Sequence, residues 1–119
     1  DFLAENAKKE GVVTLPSGLQ YKVLNEGKGR HPGLHDTVLL NYRGTLVDGT
    51  EFGSSPQDKP VKQRVDAMIA GLKEALPLMK EGARWRIFVP SDLAYGERGP
   101  LAERAVIIDV DLISVEASQ

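Results

Sequence analysis

Histidine and serine side chains are the first candidates for chemistry in this sequence, as metal ligands and as nucleophiles. His31 and His35 are four residues apart, with a Pro-Gly pair between them. Because proline interrupts a helix, the two imidazoles are not expected to share the helix face on which this spacing forms a metal site. Ser54 and Ser55 lack the Gly-x-Ser-x-Gly context of a hydrolase nucleophile. The sequence therefore predicts neither a metal site nor a serine nucleophile.

A glycine-rich segment and a pair of acids suggest two other kinds of site, for phosphate binding and for glycoside hydrolysis. Residues 27–29 read Gly-Lys-Gly and are followed by Arg-His-Pro, which indicates a loop because a phosphate cradle needs the start of a helix there. Asp109 and Asp111 alternate with apolar residues, which is typical of a strand with a hydrogen-bonded or solvated face. A glycosidase needs two acids that face one cleft. Neither site is expected.

Aromatic residues in unusual local contexts favour a different kind of site, an apolar groove. Tyr95 lies in the segment SDLAYG after Pro90, where a strand is expected to end. Tyr42 lies in the middle of a predicted strand, and Phe52 follows a predicted hairpin. A ring in a short loop segment lies at the rim of a cavity more often than in a core. The sequence thus indicates a groove lined by these rings.

The composition limits the classes of protein to which the chain can belong. Its 119 residues, with 41% hydrophobic and 27% charged residues, are typical of one globular domain. Fifteen Lys and Arg against 17 Asp and Glu give a net charge of -2, which provides no field to hold a polyanion, so nucleic acid is not an expected partner. No apolar run approaches the roughly 18 residues of a membrane span, so no insertion into a membrane is expected. No cysteine is present for thiolate chemistry.

Alternating apolar residues and turn signals predict a sheet built from hairpins, which would position the aromatic rings. Strands are expected over residues 12–15, 19–24, 37–46, 50–54, 61–65, 83–89 and 105–115. An Asp-Gly pair at residues 48–49 is a strong hairpin signal. The strand that carries Tyr42 should therefore be followed by an antiparallel strand that carries Phe52.

Two segments show a helical pattern. Apolar residues recur at helical spacing at Met68, Ile69, Leu72, Leu76 and Met79, and Pro77 is expected to limit this helix to about two or three turns. Residues 1–10 are good helix formers, and Gly11 is a helix stop. We expect residues 1–11 to be the end of a linker helix and residues 12–119 to form the domain. The fold class is α+β, with a five- to six-stranded antiparallel sheet curled around one short helix.

Sequence blocks shared with a known family are found in three runs: NYRGTLVDGTEF, GLKEALPLMKEGARWRIFVPSDLAYGERG and VIIDVDLISV. In order and spacing they resemble the FKBP-type peptidyl-prolyl cis-trans isomerase domain, over Gly18 to Val115. Several matching blocks are far more specific than one short motif. The opening FLAENAKKEGVVTLPSGLQYKVLNEG is similar to the entry into the isomerase domain of the bacterial macrophage-infectivity-potentiator branch.

The resemblance implies an isomerase that acts on Xaa-Pro bonds of protein clients and assists their folding, with no cofactor and no metal. An apolar pocket with one backbone N–H for the substrate carbonyl binds the twisted amide better than the planar forms, and no proton moves. Carried over residue by residue, the implied catalytic positions are Tyr42, Phe52, Ile69 through its backbone N–H, and Tyr95 through its hydroxyl. The implied substrate-binding positions are Met68, Leu72, Leu101 and Ile108.

The pocket departs from the family pattern at several positions. Gly53 stands where the family has an aspartate, Leu72 where it has a tryptophan, and Gln63 and Ile108 where it has further aromatic residues. The segment at residues 100–104 is shorter than the flap of the family. Because an aromatic pair contributes about 0.5–1.5 kcal/mol beyond its buried area, we expect reduced efficiency. The alternative is a non-catalytic FKBP-like chaperone or protein-binding module.

The resemblance also implies partners and a location. Proline-containing polypeptides are the expected clients, and a homodimer is expected to form through an N-terminal region outside these residues. A periplasmic or outer-membrane-associated location follows from the bacterial branch alone, since no secretion signal is visible in the sequence.

Overall fold

The computed structural model describes residues 2–55, 59–94 and 104–116. These contain seven strands, namely β1 Val12–Thr14, β2 Gln20–Asn25, β3 Thr37–Leu46, β4 Glu51–Ser54, β5 Val61–Arg64, β6 Arg84–Val89 and β7 Val106–Glu116. They also contain the helices α1 Phe2–Asn6 and α2 Ala70–Ala75 and the 3-10 turns Val65–Ala67, Leu76–Leu78 and Ser91–Leu93. Each strand agrees with its predicted range to within one residue at either end. Neither helix of the described ranges has the length and apolar character needed to cross a bilayer.

The strands form one antiparallel sheet in the order β1-β2-β6-β7-β3-β4, with β5 also paired to β3. Residues 37–40 of β3 pair with β5, and residues 43–45 pair with β4. The predicted α+β class, an antiparallel sheet with one short helix against it, is confirmed. The described residues contain seven strands instead of five to six because the short runs β1 and β5 both pair with longer strands.

One face of the sheet, here called the inner face, carries the hydrophobic core. In β3, Val38 and Leu40 are buried, as the predicted alternation requires. In β7, Ile108 and Val110 lie in the same core cluster. A register shift opposite residues 39 and 40 of β3 interrupts the alternation of β7, so that Val115 joins Leu112 in the core although the two are three residues apart.

Helix α2 packs against the inner face and is shorter than the predicted helix. Its last residues lead into a 3-10 turn that contains Pro77, because proline has no N–H to continue the helical hydrogen bonds. Gly71 brings the helix close to β6, since a Cβ atom there would lie 2.5 Å from Cγ1 of Val89. The close approach places the first turn of α2 directly above the sheet.

Helix α1 covers part of the opposite, outer face of the sheet. The ring of Phe2 lies 6.1 Å from that of Phe88, centroid to centroid, which explains why Phe88 is buried although it lies opposite the core. The side chain of Asn6 donates to that of Gln20 at 2.8 Å. The prediction that the helix reaches residue 10 is wrong. The helix ends at Asn6, and turns and a bend follow up to Gly11. Gly11 has a φ of 83°, which glycine adopts without steric cost, and β1 begins at the next residue.

Candidate functional site

A small apolar cavity of about 230 Å³ lies between the inner face and α2. Its lining residues fall into three groups according to their burial: a floor, a wall and a rim. The floor consists of the buried residues Leu40, Leu76, Ile108 and Val110. The wall consists of the half-buried residues Tyr42, Phe52, Met68, Ile69 and Leu72, and the rim of the exposed residues Gln63 and Ala67. None of these described lining residues carries a charge, so the cavity is suited to an uncharged apolar group.

The β3–β4 hairpin brings Tyr42 and Phe52 to the same cavity. Gly49 adopts a φ of 93° in the turn, a conformation that glycine reaches without steric cost. The N–H of Thr50 donates to Oδ1 of Asp48 at 2.9 Å, and this hydrogen bond lowers the pKa of the Asp48 carboxyl. The Asp-Gly signal in the sequence therefore positions the two rings as predicted.

Ser55, the residue after the end of β4, holds the backbone of Tyr42 in β3. The N–H of Tyr42 donates to Oγ of Ser55 at 3.0 Å, and the N–H of Ser55 donates to the carbonyl of Tyr42 at 2.9 Å. The Ser55 hydroxyl in turn donates to Oδ1 of Asn41 at 3.2 Å. The hydroxyl is thus engaged in positioning Tyr42, a role that sequence reasoning missed because it weighed Ser55 only as a nucleophile.

Ile69 offers a backbone N–H at the wall. Its carbonyl accepts from the N–H groups of Leu72 and Lys73, each at 3.0 Å, because Ile69 is the N-cap of α2 with extended dihedral angles. No hydrogen bond within residues 2–55, 59–94 and 104–116 uses the Ile69 N–H. A half-buried donor without a protein acceptor can bind the carbonyl of a ligand.

The charged side chains that the sequence raised as candidates serve other contacts. Oδ1 of Asp109 accepts from Nε of Arg86 at 2.8 Å on the outer face, and this hydrogen bond raises the pKa of Arg86. Nδ1 of His35 lies 3.4 Å from Oδ2 of Asp66 in an exposed contact. Among the described residues no group of three His, Cys, Asp or Glu side chains is placed to hold a metal ion.

Comparison with family models assigns the fold. The model of the FKBP-type peptidyl-prolyl cis-trans isomerase matches residues 28–113, which is more than half of the chain. The chain belongs to the FKBP-type peptidyl-prolyl cis-trans isomerase family. Residues 1–23 of this FKBP domain also match the model of the domain amino terminal to FKBP-type peptidyl-prolyl isomerase.

Two bacterial relatives are identical to this FKBP domain at nearly half of the aligned positions. The chain is 48% identical over 120 residues to the outer membrane protein MIP of Legionella longbeachae, an alignment that covers 97% of the chain and 52% of the relative. The peptidyl-prolyl cis-trans isomerase Mip of Coxiella burnetii is also 48% identical, with the same coverage. The chain spans about half the length of these relatives.

Solved structures confirm the predicted FKBP fold. The crystal structure of FkpA from Escherichia coli superposes with a TM-score of 0.93 and 37% identity, over 99% of this chain and 57% of the other. The peptidyl-prolyl cis-trans isomerase from Pseudomonas syringae pv. tomato gives a TM-score of 0.91 and 35% identity, over 98% of this chain and 89% of the other.

The FKBP domain brings most of the predicted site residues together. One cavity is lined by Tyr42, Phe52, Met68, Ile69, Leu72 and Ile108. Tyr95 and Leu101 lie outside the described residues. The roles of these residues in catalysis and binding stay predictions.

Sequence reasoning did not include four lining residues of the cavity: Leu40, Ala67, Leu76 and Val110. Strand alternation would have found Leu40 from Tyr42 and Val110 from Ile108, since each lies two residues away on the same face. Helical spacing would have found Leu76, four residues after Leu72. No pattern in the sequence indicates Ala67, which lies in a 3-10 turn.

A larger hollow of about 750 Å³ lies beside the end of β2. It is lined by residues 23–28 together with Glu81 and Gly82. Charged side chains of Glu26, Lys28 and Glu81 belong to this lining, which is unsuited to a prolyl ring. Chemistry, and not volume, therefore selects the smaller cavity as the candidate site.

Proposed function

We propose that this FKBP domain catalyses the cis-trans isomerisation of Xaa-Pro bonds in protein clients and so assists their folding. The observation that carries the proposal is the cavity, whose described lining residues are uncharged and whose wall combines Tyr42, Phe52 and the Ile69 N–H, a donor that no described residue engages. The relatives in Coxiella burnetii and Pseudomonas syringae are named peptidyl-prolyl cis-trans isomerases, which supports the same activity here.

The mechanism follows from the electronic structure of the amide. Rotation about an amide bond has a barrier of about 18–20 kcal/mol because resonance is lost in the twisted state. Resonance separates charge in the planar amide, so the twisted amide is the less polar species. An apolar cavity therefore destabilises the planar forms relative to the twisted form. The Ile69 N–H would hold the substrate carbonyl while the prolyl ring lies on the buried floor.

Reduced efficiency is part of the proposal. Leu72 forms an aliphatic section of the wall, and Gly53 leaves open space next to Phe52, with no atom within 4 Å of a Cβ atom built on it. Each aromatic contact that is lost removes about 0.5–1.5 kcal/mol of favourable interaction with a bound ring. If half of that loss is expressed in the transition state, the rate falls by about two- to tenfold over two such contacts.

A protease-coupled prolyl-peptide assay at micromolar protein tests the activity. We expect acceleration over the uncatalysed rate. Phe52→Ala, which removes a ring from the wall, should lose most of that acceleration. Val47→Ala is the matched control, because Val47 is an exposed residue of the same hairpin and does not line the cavity. Equal rates with and without the protein would contradict the proposed catalysis.

A non-catalytic binding module is the second candidate function, and the aliphatic wall at Leu72 favours it. Such a module would keep the cavity as a docking site for proline-containing segments of unfolded clients. Chemical shift changes at Tyr42 and Ile69 on titration with a prolyl peptide, together with no acceleration in the assay, would support this function.

We also infer a location outside the cytoplasmic membrane, in the periplasm or at the outer membrane. The Legionella longbeachae relative is named an outer membrane protein, and cell fractionation tests the inference.

Dimerisation through a region N-terminal to the domain is proposed from the match of residues 1–23 to the amino-terminal domain model. Sedimentation of the natural protein would give the mass of a dimer if the proposal holds and the mass of a monomer if it does not.

A further inference from the structure

The rim of the cavity, and not its floor, is where the neighbours of a bound proline would lie. This inference rests on the proposed function. A prolyl ring that reaches the buried floor places the residues before and after it at the mouth of the cavity. The described rim consists of Gln63 and Ala67. Because Ala67 has only a methyl group, the amide of Gln63 is the polar side-chain group that a neighbouring residue would meet on the described part of the rim.

Gln63 faces the cavity because of its register in the sheet. In the β3–β5 pair it lies opposite Val38, which is fully buried on the inner face. Side chains alternate along a strand, so the preceding residue faces outward. Nζ of Lys62 indeed lies 2.9 Å from Oε1 of Glu116 in an exposed ion pair. Lys62 thus faces outward, whereas Gln63, the next residue of β5, contributes to the cavity lining.

The amide of Gln63 is available for a ligand. No hydrogen bond within the described ranges of the chain uses it. A primary amide provides two N–H donors and one carbonyl acceptor, so it can pair with a donor or an acceptor of a client. Among the lining residues that the structure describes, the other side chain with a hydrogen-bonding oxygen is that of Tyr42, which belongs to the wall.

We propose that Gln63 selects clients with a hydrogen-bonding side chain next to the proline. A flanking Gln, Asn or Ser would pair with the Gln63 amide at the rim. A flanking Leu or Phe would instead remove water from that amide without replacing its hydrogen bonds, which is unfavourable. The substrate class is therefore a polar residue joined to proline, and Gln63 is the specificity-determining residue.

Two peptide series test the inference, one that varies the residue before proline and one that varies the residue after it. The measured quantity is the ratio of kcat/KM for Gln over Leu at the varied position. In the unmodified domain we expect a ratio of about three to ten in at least one series, since one neutral hydrogen bond is at stake. In Gln63→Leu the ratio should fall to about one or below. Lys62→Leu is the matched control, because it adds the same side chain to the same strand outside the cavity.

A charged variant gives an independent readout. Gln63→Glu should favour peptides with Lys at the same varied position by about threefold or more over Gln, and added salt should reduce that preference. A Gln over Leu ratio that stays the same in Gln63→Leu, in both series, would overturn the inference even if catalysis is normal.

Peptide binding separates this inference from the proposed function. If the domain accelerates no peptide, catalysis is contradicted, and the same Gln and Leu peptides are then titrated against the domain by NMR. Tighter binding of the Gln peptide that disappears in Gln63→Leu would still support selection by Gln63. Equal affinities in the unmodified domain would contradict it.

Discussion

Gly44 of β3 lies directly beneath the ring of Phe52. A Cβ atom on Gly44 would lie 2.5 Å from Cζ of Phe52, closer than nonbonded carbon atoms approach each other. The ring therefore occupies the space that any other residue type would fill, and it forms the cavity wall in this position. The observed position of the Phe52 ring therefore requires glycine at residue 44.

Gly44→Ala should displace the Phe52 ring and lower kcat/KM for prolyl peptides. Overpacking of this kind costs about 1–3 kcal/mol, so urea denaturation should also show a lower free energy of unfolding. Gly33→Ala is the control, because the added Cβ atom would meet Asp36 only at an ordinary 3.5 Å. Unchanged kcat/KM in Gly44→Ala would contradict the prediction that the observed position of the Phe52 ring matters for activity.

Ser55→Ala should misplace Tyr42. The variant removes the acceptor for the Tyr42 N–H, now 3.0 Å away, and the loss of one hydrogen bond costs about 1 kcal/mol. We expect lower kcat/KM, with activity restored in Ser55→Thr, which keeps the hydroxyl. Ser54→Ala is the control, since Ser54 is the exposed last residue of β4, directly before Ser55. A failure of Ser55→Thr to restore activity would argue against positioning by the hydroxyl.

Gly53→Asp combined with Leu72→Trp should raise activity. The structure has open space at residue 53, and residue 72 lies at the wall, so an acid and a ring are added where the family carries them. We expect an increase in kcat/KM of about two- to tenfold, since one ring contact is restored. Gly53→Asn with Leu72→Trp distinguishes the charge of the acid from its size. No gain in either double variant would contradict the proposal that these departures reduce the efficiency.

Glu81 should make the stability of the domain depend on pH in the acid range. Its carboxylate accepts hydrogen bonds from the N–H of Val115 at 2.7 Å and of Arg30 at 3.1 Å. These bonds, that from Val115 first, lower the pKa of Glu81 below its usual value of 4.5. They favour the ionised form in the folded state, so their contribution is complete above pH 4.5 and is lost as the pH falls through the lowered pKa.

Urea denaturation of Glu81→Gln at several pH values checks this expectation. The variant should be less stable than the unmodified domain near neutral pH, and the difference should shrink as the pH is lowered below 4.5. Glu26→Gln removes one carboxylate from an exposed loop position and controls for the change in net charge. A difference that is constant with pH would contradict the role of the ionised Glu81.

The strands could be predicted because their signals are local. Alternation of apolar residues located β3, and the Asp-Gly pair located the turn to β4. The length of α1 could not be predicted in this way. Helix propensity favours residues 1–10, but the buried contact of Asn6 with Gln20 is long-range, and propensity contains no information about it.

By itself, the sequence determined the class of the fold, the family and the identity of the aromatic residues, because period, turn chemistry and ordered motifs are properties of neighbouring residues. The tertiary structure decided which of them share one cavity. It placed Gly44 under Phe52, joined Ser55 to Tyr42 and turned Gln63 towards the rim. These contacts depend on strand register and close packing between distant segments, and such geometry exists only after the chain has folded.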